Sequence, residues 1–199
     1  MVTETFIKVF SLAFFCLYLV VAFAWPTIRT YRITGIKPIT FGNSDNAHDF
    51  IGKWFKILIG ITLISITGYW FPEDIYPYLS PFDYLQLPAL HLIGVVLAVL
   101  SLIWISIAQF QMGNSWGIGL DHQSNTSLIQ HDLFAISRNP VFLGMLVSLL
   151  GFFLLLPNTL TFLVLVGGYL LIQIQIRLEE DFLLQQHGKD YSEYCQRVR

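Results

Sequence analysis

The stretch Ser137-Arg138-Asn139-Pro140-Val141-Phe142-Leu143-Gly144 opens an apolar run to Leu156, which Pro157-Asn158 closes. A second apolar run follows and ends in Arg177-Leu178-Glu179-Glu180-Asp181. A residue before proline is pushed out of the helical region, and proline itself fits a first helical turn. Asn139-Pro140 therefore reads as the end of a loop and the start of a helix. The runs 141–156 and 159–178, joined by the Pro157-Asn158 turn, read as a tight helical hairpin. Gly144, Ser148 and Gly151 recur on one face of its first arm, a small-residue stripe that lets helices approach closely. The second arm delivers its charges to the end that Arg138 occupies. Charges entering a membrane are costly unless they pair or line a cavity.

Working outward, the 199 residues are 55% hydrophobic and 12% charged. An average soluble domain is about 25% charged. The composition implies an all-α integral membrane protein, one domain over 1–199. Further runs at 6–24, 54–71 and 89–110 approach the roughly 20 residues that cross a hydrocarbon core, giving five spans with the hairpin. A signal peptide is the rival reading of 6–24, since Ala22-Phe23-Ala24 resembles a cleavage site. Glu4 and the lack of a basic residue before Lys8 speak against it. Trp25-Pro26 opens a polar loop over 25–50, with turn residues at Gly42-Asn43-Ser44-Asp45-Asn46.

Five spans place Arg29, Arg32, Lys37, Lys53, Lys56, Arg138, Arg177, Lys189, Arg197 and Arg199 on one side, leaving Lys8 alone of the eleven basic residues on the other. The positive-inside rule then puts the N-terminus outside and an amphipathic C-terminal tail, Gly188 to Tyr194, in the cytoplasm. The net charge of −2 leaves no basic patch for nucleic acid. No cysteine or histidine cluster suggests a metal site. P-loop, G-x-G-x-x-G, H-E-x-x-H and G-x-S-x-G spacings are absent, so those enzyme classes gain no support.

The chemistry concentrates at the end of the hairpin. Gln173, Arg177 and Glu180 fall on one helix face, and Glu179 is rotated by about 100° from Glu180. An interfacial salt-bridge belt, with Arg177 paired to Asp181, is the bland reading of this polar stripe. A binding site that also uses Arg138 is the other.

Arg138-Asn139-Pro140 with Phe142 and Gly144, the Glu179-Glu180 pair, and Gly188, Tyr191 and Tyr194 together resemble the membrane methyltransferases. These are relatives of the isoprenylcysteine carboxyl methyltransferases and the phospholipid (phosphatidylethanolamine) N-methyltransferases. The resemblance covers roughly residues 113–199. It implies S-adenosylmethionine as cofactor, held by the Asn-Pro segment and the glutamate pair, and a lipophilic membrane substrate. The candidate cofactor-binding residues are Phe134, Arg138, Asn139, Pro140, Phe142, Glu179, Glu180 and Tyr191. Arg177 and Glu180 are the candidate catalytic residues. A guanidinium suits the methionine carboxylate, carboxylates suit ribose and amino groups, and aromatic rings suit adenine and the sulfonium. Methyl transfer is an in-line displacement that needs no metal. The chain departs from common family patterns at Asn139 (often His), Phe142 (often Tyr) and Gly117 (often Arg). Two alternatives stay open: an NADPH-dependent sterol or steroid reductase-like enzyme, and a non-catalytic membrane scaffold.

Overall fold

A computed structural model describes residues 3–35, 47–71, 73–113 and 128–198. The Asn114 to Gly119 motif region, Lys37, the 43–46 turn and Arg199 lie outside the described residues. Among those described, all regular structure is helical, with a single isolated bridge between Pro81 and Asn158.

The first helix departs from expectation. α1 (Glu4–Leu19) passes through a π turn, Val20–Ala24, directly into α2 (Trp25–Thr34). Trp25-Pro26 therefore does not open a loop, and Arg29 and Arg32 stand on a helix. Pro26 cannot donate to the carbonyl four residues back, that of Ala22. Gln109 of α4 supplies the missing donor, its Nε2 lying 2.7 Å from the Ala22 oxygen. The Trp25 amide reaches five residues back to Val20 instead of four. Proline at the start of a helical segment then costs little. Gly35, at φ 71°, ends α2.

The remaining helices are α3 (Ala47–Trp70), α4 (Pro88–Met112), α5 (Pro140–Leu155), α6 (Thr159–His187) and α7 (Lys189–Arg197). Two expected boundaries move. α3 begins before residue 54, and α6 runs past 178 through the charged cluster to His187. Among the described residues four helices are long and apolar enough to cross a membrane: Glu4–Ile33, Asp49–Trp70, Pro88–Met112 and Thr159–His187. α5, at 16 residues, is a shorter apolar helix, about 24 Å long at 1.5 Å per residue. The chain is a multi-pass membrane protein.

At one end of the bundle the α5–α6 turn is tied down. Asn158 caps α6 by accepting from the Thr161 amide at 3.0 Å, and its own amide donates to Ser65 of α3 at 2.8 Å. Phe82 and Thr159 add backbone bonds between the segment before α4 and this turn. Along their length α4 and α5 meet at backbone distance. A Cβ on Gly94 would lie 2.7 Å from the Gly151 carbonyl oxygen, and one on Gly151 would lie 2.9 Å from the Ala98 nitrogen. Ser101 and Ser148 share a hydrogen bond of 2.6 Å inside the contact. The small-residue stripe of α5 thus serves helix packing.

Candidate active site

At the opposite end, α5 begins where Pro140 allows it. Asn139, at φ −131° and ψ 61°, is held out of the helical region. The Trp104 indole of α4 donates to the Pro140 carbonyl at 2.9 Å and fixes the start of α5. The loop before it, with a 3₁₀ turn at Asp132–Ala135, is held on two sides. Gln111 of α4 accepts from the Leu133 amide at 3.2 Å. From α7, the Tyr194 hydroxyl donates to the Phe134 carbonyl at 2.5 Å, and Arg197 donates to Gln130 at 2.6 Å. Gly188, at φ +51°, lets the chain turn from α6 into α7, a conformation that glycine adopts without steric cost. Tyr191, Tyr194 and Val198 then bury against Leu128 and Leu183.

Between loop and helix lies a charged cluster. Glu180 Oε1 is 3.2 Å from Arg138 Nη2 and 3.4 Å from Asn139 Nδ2, so one carboxylate oxygen receives both loop side chains. Arg138 and Glu180 remain 27% and 24% exposed, which makes the pair half-sheltered rather than a surface contact. Cys195 lies within hydrogen-bond reach of both Arg138 and Tyr191. Burial pushes the Tyr194 phenol up to about 12. Burial also raises Tyr191, and the nearby Glu180 charge adds to the effect. Both phenols therefore act as neutral groups around the arginine.

Beneath this cluster a cavity of about 390 Å³ runs into the bundle. Its apolar walls come from α1 (Phe14, Phe15, Tyr18), α3 (Phe55, Leu58, Ile59), α5 (Phe142, Met145, Phe152) and α6 (Val164, Gly168, Ile172). Its polar lining includes Lys56, Gln109, Arg138, Asn139, Gln175 and Glu179. Gln175 is 2% exposed, and its Nε2 donates to Glu179 Oε1 at 3.1 Å. Two buried polar atoms among the lining residues, Arg138 Nε and Gln175 Oε1, have no hydrogen-bond partner in the protein.

Of the residues singled out in the sequence, Phe134, Arg138, Asn139, Pro140, Phe142 and Glu179 line this cavity. Glu180 and Tyr191 are not among the lining residues; Glu180 is paired to Arg138, and Tyr191 lies near that pair. Arg177 does not reach it. The side chain is exposed and turns back along its own helix, Nη1 donating to the Gln173 carbonyl at 2.9 Å. Nor do the ion pairs among the described residues include one between Arg177 and Asp181. The inward stripe of α6 is Gly168, Ile172, Gln175, Glu179 and Leu183. It lies on a different face from Gln173, Arg177 and Glu180. The two glutamates divide accordingly, Glu179 to the cavity and Glu180 to the loop. Gln175 and Gln109 were missed in the sequence. For Gln175 the available signal was its place four residues before Glu179, one turn along the same face.

The helical bundle thus holds an apolar cavity whose lining also carries cations, a carboxylate and amides. The family model for phospholipid methyltransferases matches residues 87–190, from the start of α4 to the start of α7, and the chain belongs to that family. The match reaches upstream of the 113–199 region that carried the resemblance, taking in all of α4. Among curated proteins none matches the chain.

Proposed function

We propose that the chain transfers a methyl group from S-adenosylmethionine to a lipophilic acceptor that enters the cavity from the bilayer. In this reading α5 completes a fifth crossing, and the Arg138 cluster and the tail lie in the cytoplasm. The observation that carries it is the union in one cavity of a long apolar wall and a polar lining with two partnerless buried atoms. Arg138 Nε is a free donor and suits the methionine carboxylate. Glu179 offers an acceptor for the ribose or amino groups. Phe134 and Phe142 supply flat apolar surface for adenine. Glu180 and Tyr191 keep Arg138 in place rather than touching the ligand, and Arg177 belongs to the membrane interface. When bound, the cofactor supplies an electrophilic methyl group on a sulfonium. The protein's part is to align the acceptor with it and to exclude water.

The test is calorimetry on detergent-purified protein with S-adenosylmethionine, S-adenosylhomocysteine and NADPH, repeated on Glu180→Ala. Removing Glu180 frees the arginine that anchors the ligand, so affinity for the first two is expected to fall about tenfold to a hundredfold. Binding of NADPH alone would reassign the cavity to a reductase.

A further inference from the structure

We propose that a second pocket, between α2 and α4, binds the phosphate of a net-anionic membrane lipid, apart from the main cavity. The inference does not depend on the methyl-transfer reading. The pocket has a volume of about 240 Å³, and its lining includes Trp25, Arg29, Thr30, Ser106, Gln109 and Phe110. Among the described residues Arg29 is the one charged group that lines it. The ion pairs among the described residues do not include Arg29. Arg138 has Glu180 beside it at 3.2 Å, whereas no described carboxylate lines this pocket. A half-buried guanidinium in such a setting favours an anionic ligand.

The guanidinium is also held in place. Its central carbon lies over the Phe110 ring, 5.6 Å from the centroid. The ring takes one face of the planar group, which leaves its N–H edge for an acceptor, and that fork matches two phosphate oxygens. Neighbouring polar groups are already engaged. Ser106 donates to the Leu102 carbonyl at 2.7 Å, and Gln109 Nε2 to the Ala22 carbonyl at 2.7 Å. Arg29 therefore carries the recognition.

Position selects the source of the phosphate. Arg29 lies in the last turn or so of the Glu4–Ile33 span, and Phe110 in the last turn of Pro88–Met112. This is the level at which arginine and tryptophan meet lipid headgroups. Trp25 and Phe110 are exposed, and Ile103 and Ile107 continue the exposed apolar face of α4 away from the pocket. An acyl chain can lie along that face while its phosphate reaches Arg29; a free phosphate gains nothing from it. An ammonium-bearing headgroup would bring a second cation that no described carboxylate in the pocket receives. A net-anionic headgroup brings none. Gln109 lines both pockets and Ala22 lines the main cavity, so their hydrogen bond belongs to the wall between the two. The bound lipid needs no nucleophile, and it braces α2 against α4.

The experiment titrates the full chain in detergent micelles with phosphatidylglycerol, phosphatidylcholine or inorganic phosphate. Native mass spectrometry counts the bound ligand, and the thermal midpoint is read in parallel. Phosphatidylglycerol is expected to bind and to raise the midpoint, and phosphatidylcholine to bind about tenfold more weakly. Arg29→Gln should weaken phosphatidylglycerol binding about tenfold or more. Arg32→Gln removes an exposed charge one turn along the same helix and should leave the affinity within about twofold. Phe110→Leu keeps the charge but removes its support, with a loss of about threefold expected; it decides the matter if Arg29→Gln does not fold. Unchanged affinity in Arg29→Gln, or in Phe110→Leu where that variant decides, overturns the site. So does an equal loss in Arg32→Gln, which would mean diffuse surface charge. Equal binding of phosphatidylcholine overturns the charge selection, and an equal midpoint shift with inorganic phosphate overturns the lipid assignment.

Discussion

The two sides of α5 are built on opposite rules. Toward α4 its residues are Gly144, Ser148 and Gly151, and the backbones touch. Toward α1 and α6 they are Phe142, Met145, Leu149 and Phe152, and a cavity of about 390 Å³ remains. In a bilayer, burying apolar surface between helices gains little, because lipid tails are as apolar as leucine. Close packing of small residues therefore holds the pair together. The freedom to leave space on the other side follows from it. One face of a single 16-residue helix secures the fold, and the other borders the cavity.

That division is open to direct attack. Gly151→Leu puts a side chain where a Cβ already lies 2.9 Å from both the Ala98 nitrogen and the Gly94 oxygen. Backbone cannot yield as a flexible side chain can, so a loss of about 3 kcal/mol or more is expected. Size-exclusion chromatography should show aggregated material, and the thermal transition should be lost. Met145→Leu on the cavity side conserves volume and should cost under about 1.5 kcal/mol. Equal melting temperatures for the two variants would erase the distinction between the faces.

The second expectation concerns the wall shared by α2 and α4. Gln109→Leu removes the donor that satisfies the Ala22 carbonyl at 2.7 Å. The carbonyl cannot turn to Pro26, which has no N–H. Leaving it bare should cost about 1–3 kcal/mol, read as a lower thermal midpoint. Replacing Pro26 by Ala in the same chain should recover much of the loss by restoring a backbone donor. No recovery would mean that Gln109 acts through packing alone.

How far the sequence leads depends on whether a signal is local. The hairpin of α5 and α6 is legible because its stops are local: Asn139-Pro140 before it and Pro157-Asn158 within it. Trp25-Pro26 carries the same kind of signal but misleads, because its compensation comes from a side chain 87 positions away. The site shows the same split. Arg138, Asn139 and Glu180 stand out as polar groups at the end of apolar runs, and they meet in space. The rotation of α6 is not local information. A polar stripe can be counted on a helix, but which stripe faces inward is set by what packs around it. Hence the stripe through Arg177 reads as the site face, whereas the structure turns Gln175, two residues away, toward the cavity.

The smallest effect is expected at the tail. Tyr194 donates to the Phe134 carbonyl at 2.5 Å from a buried position, and so clips α7 to the loop that carries Arg138. Tyr194→Phe keeps the ring and its packing against Leu128 and Leu183 but leaves that carbonyl without its donor. The expected cost is about 1 kcal/mol, confined to the docking of the tail. Limited proteolysis near residue 190 should run about fivefold faster where cleavage follows the open population. The bond also carries a pH signature. Burial raises the phenol from 10.0 to about 12, so its folded value lies above its unfolded one. The stabilisation is therefore complete below pH 10 and is lost as pH rises through about 12. Tail protection in wild type should weaken over that interval, and in Tyr194→Phe it should not change by the same step. A variant with the same cleavage rate and the same pH response would show that ring packing alone docks the tail.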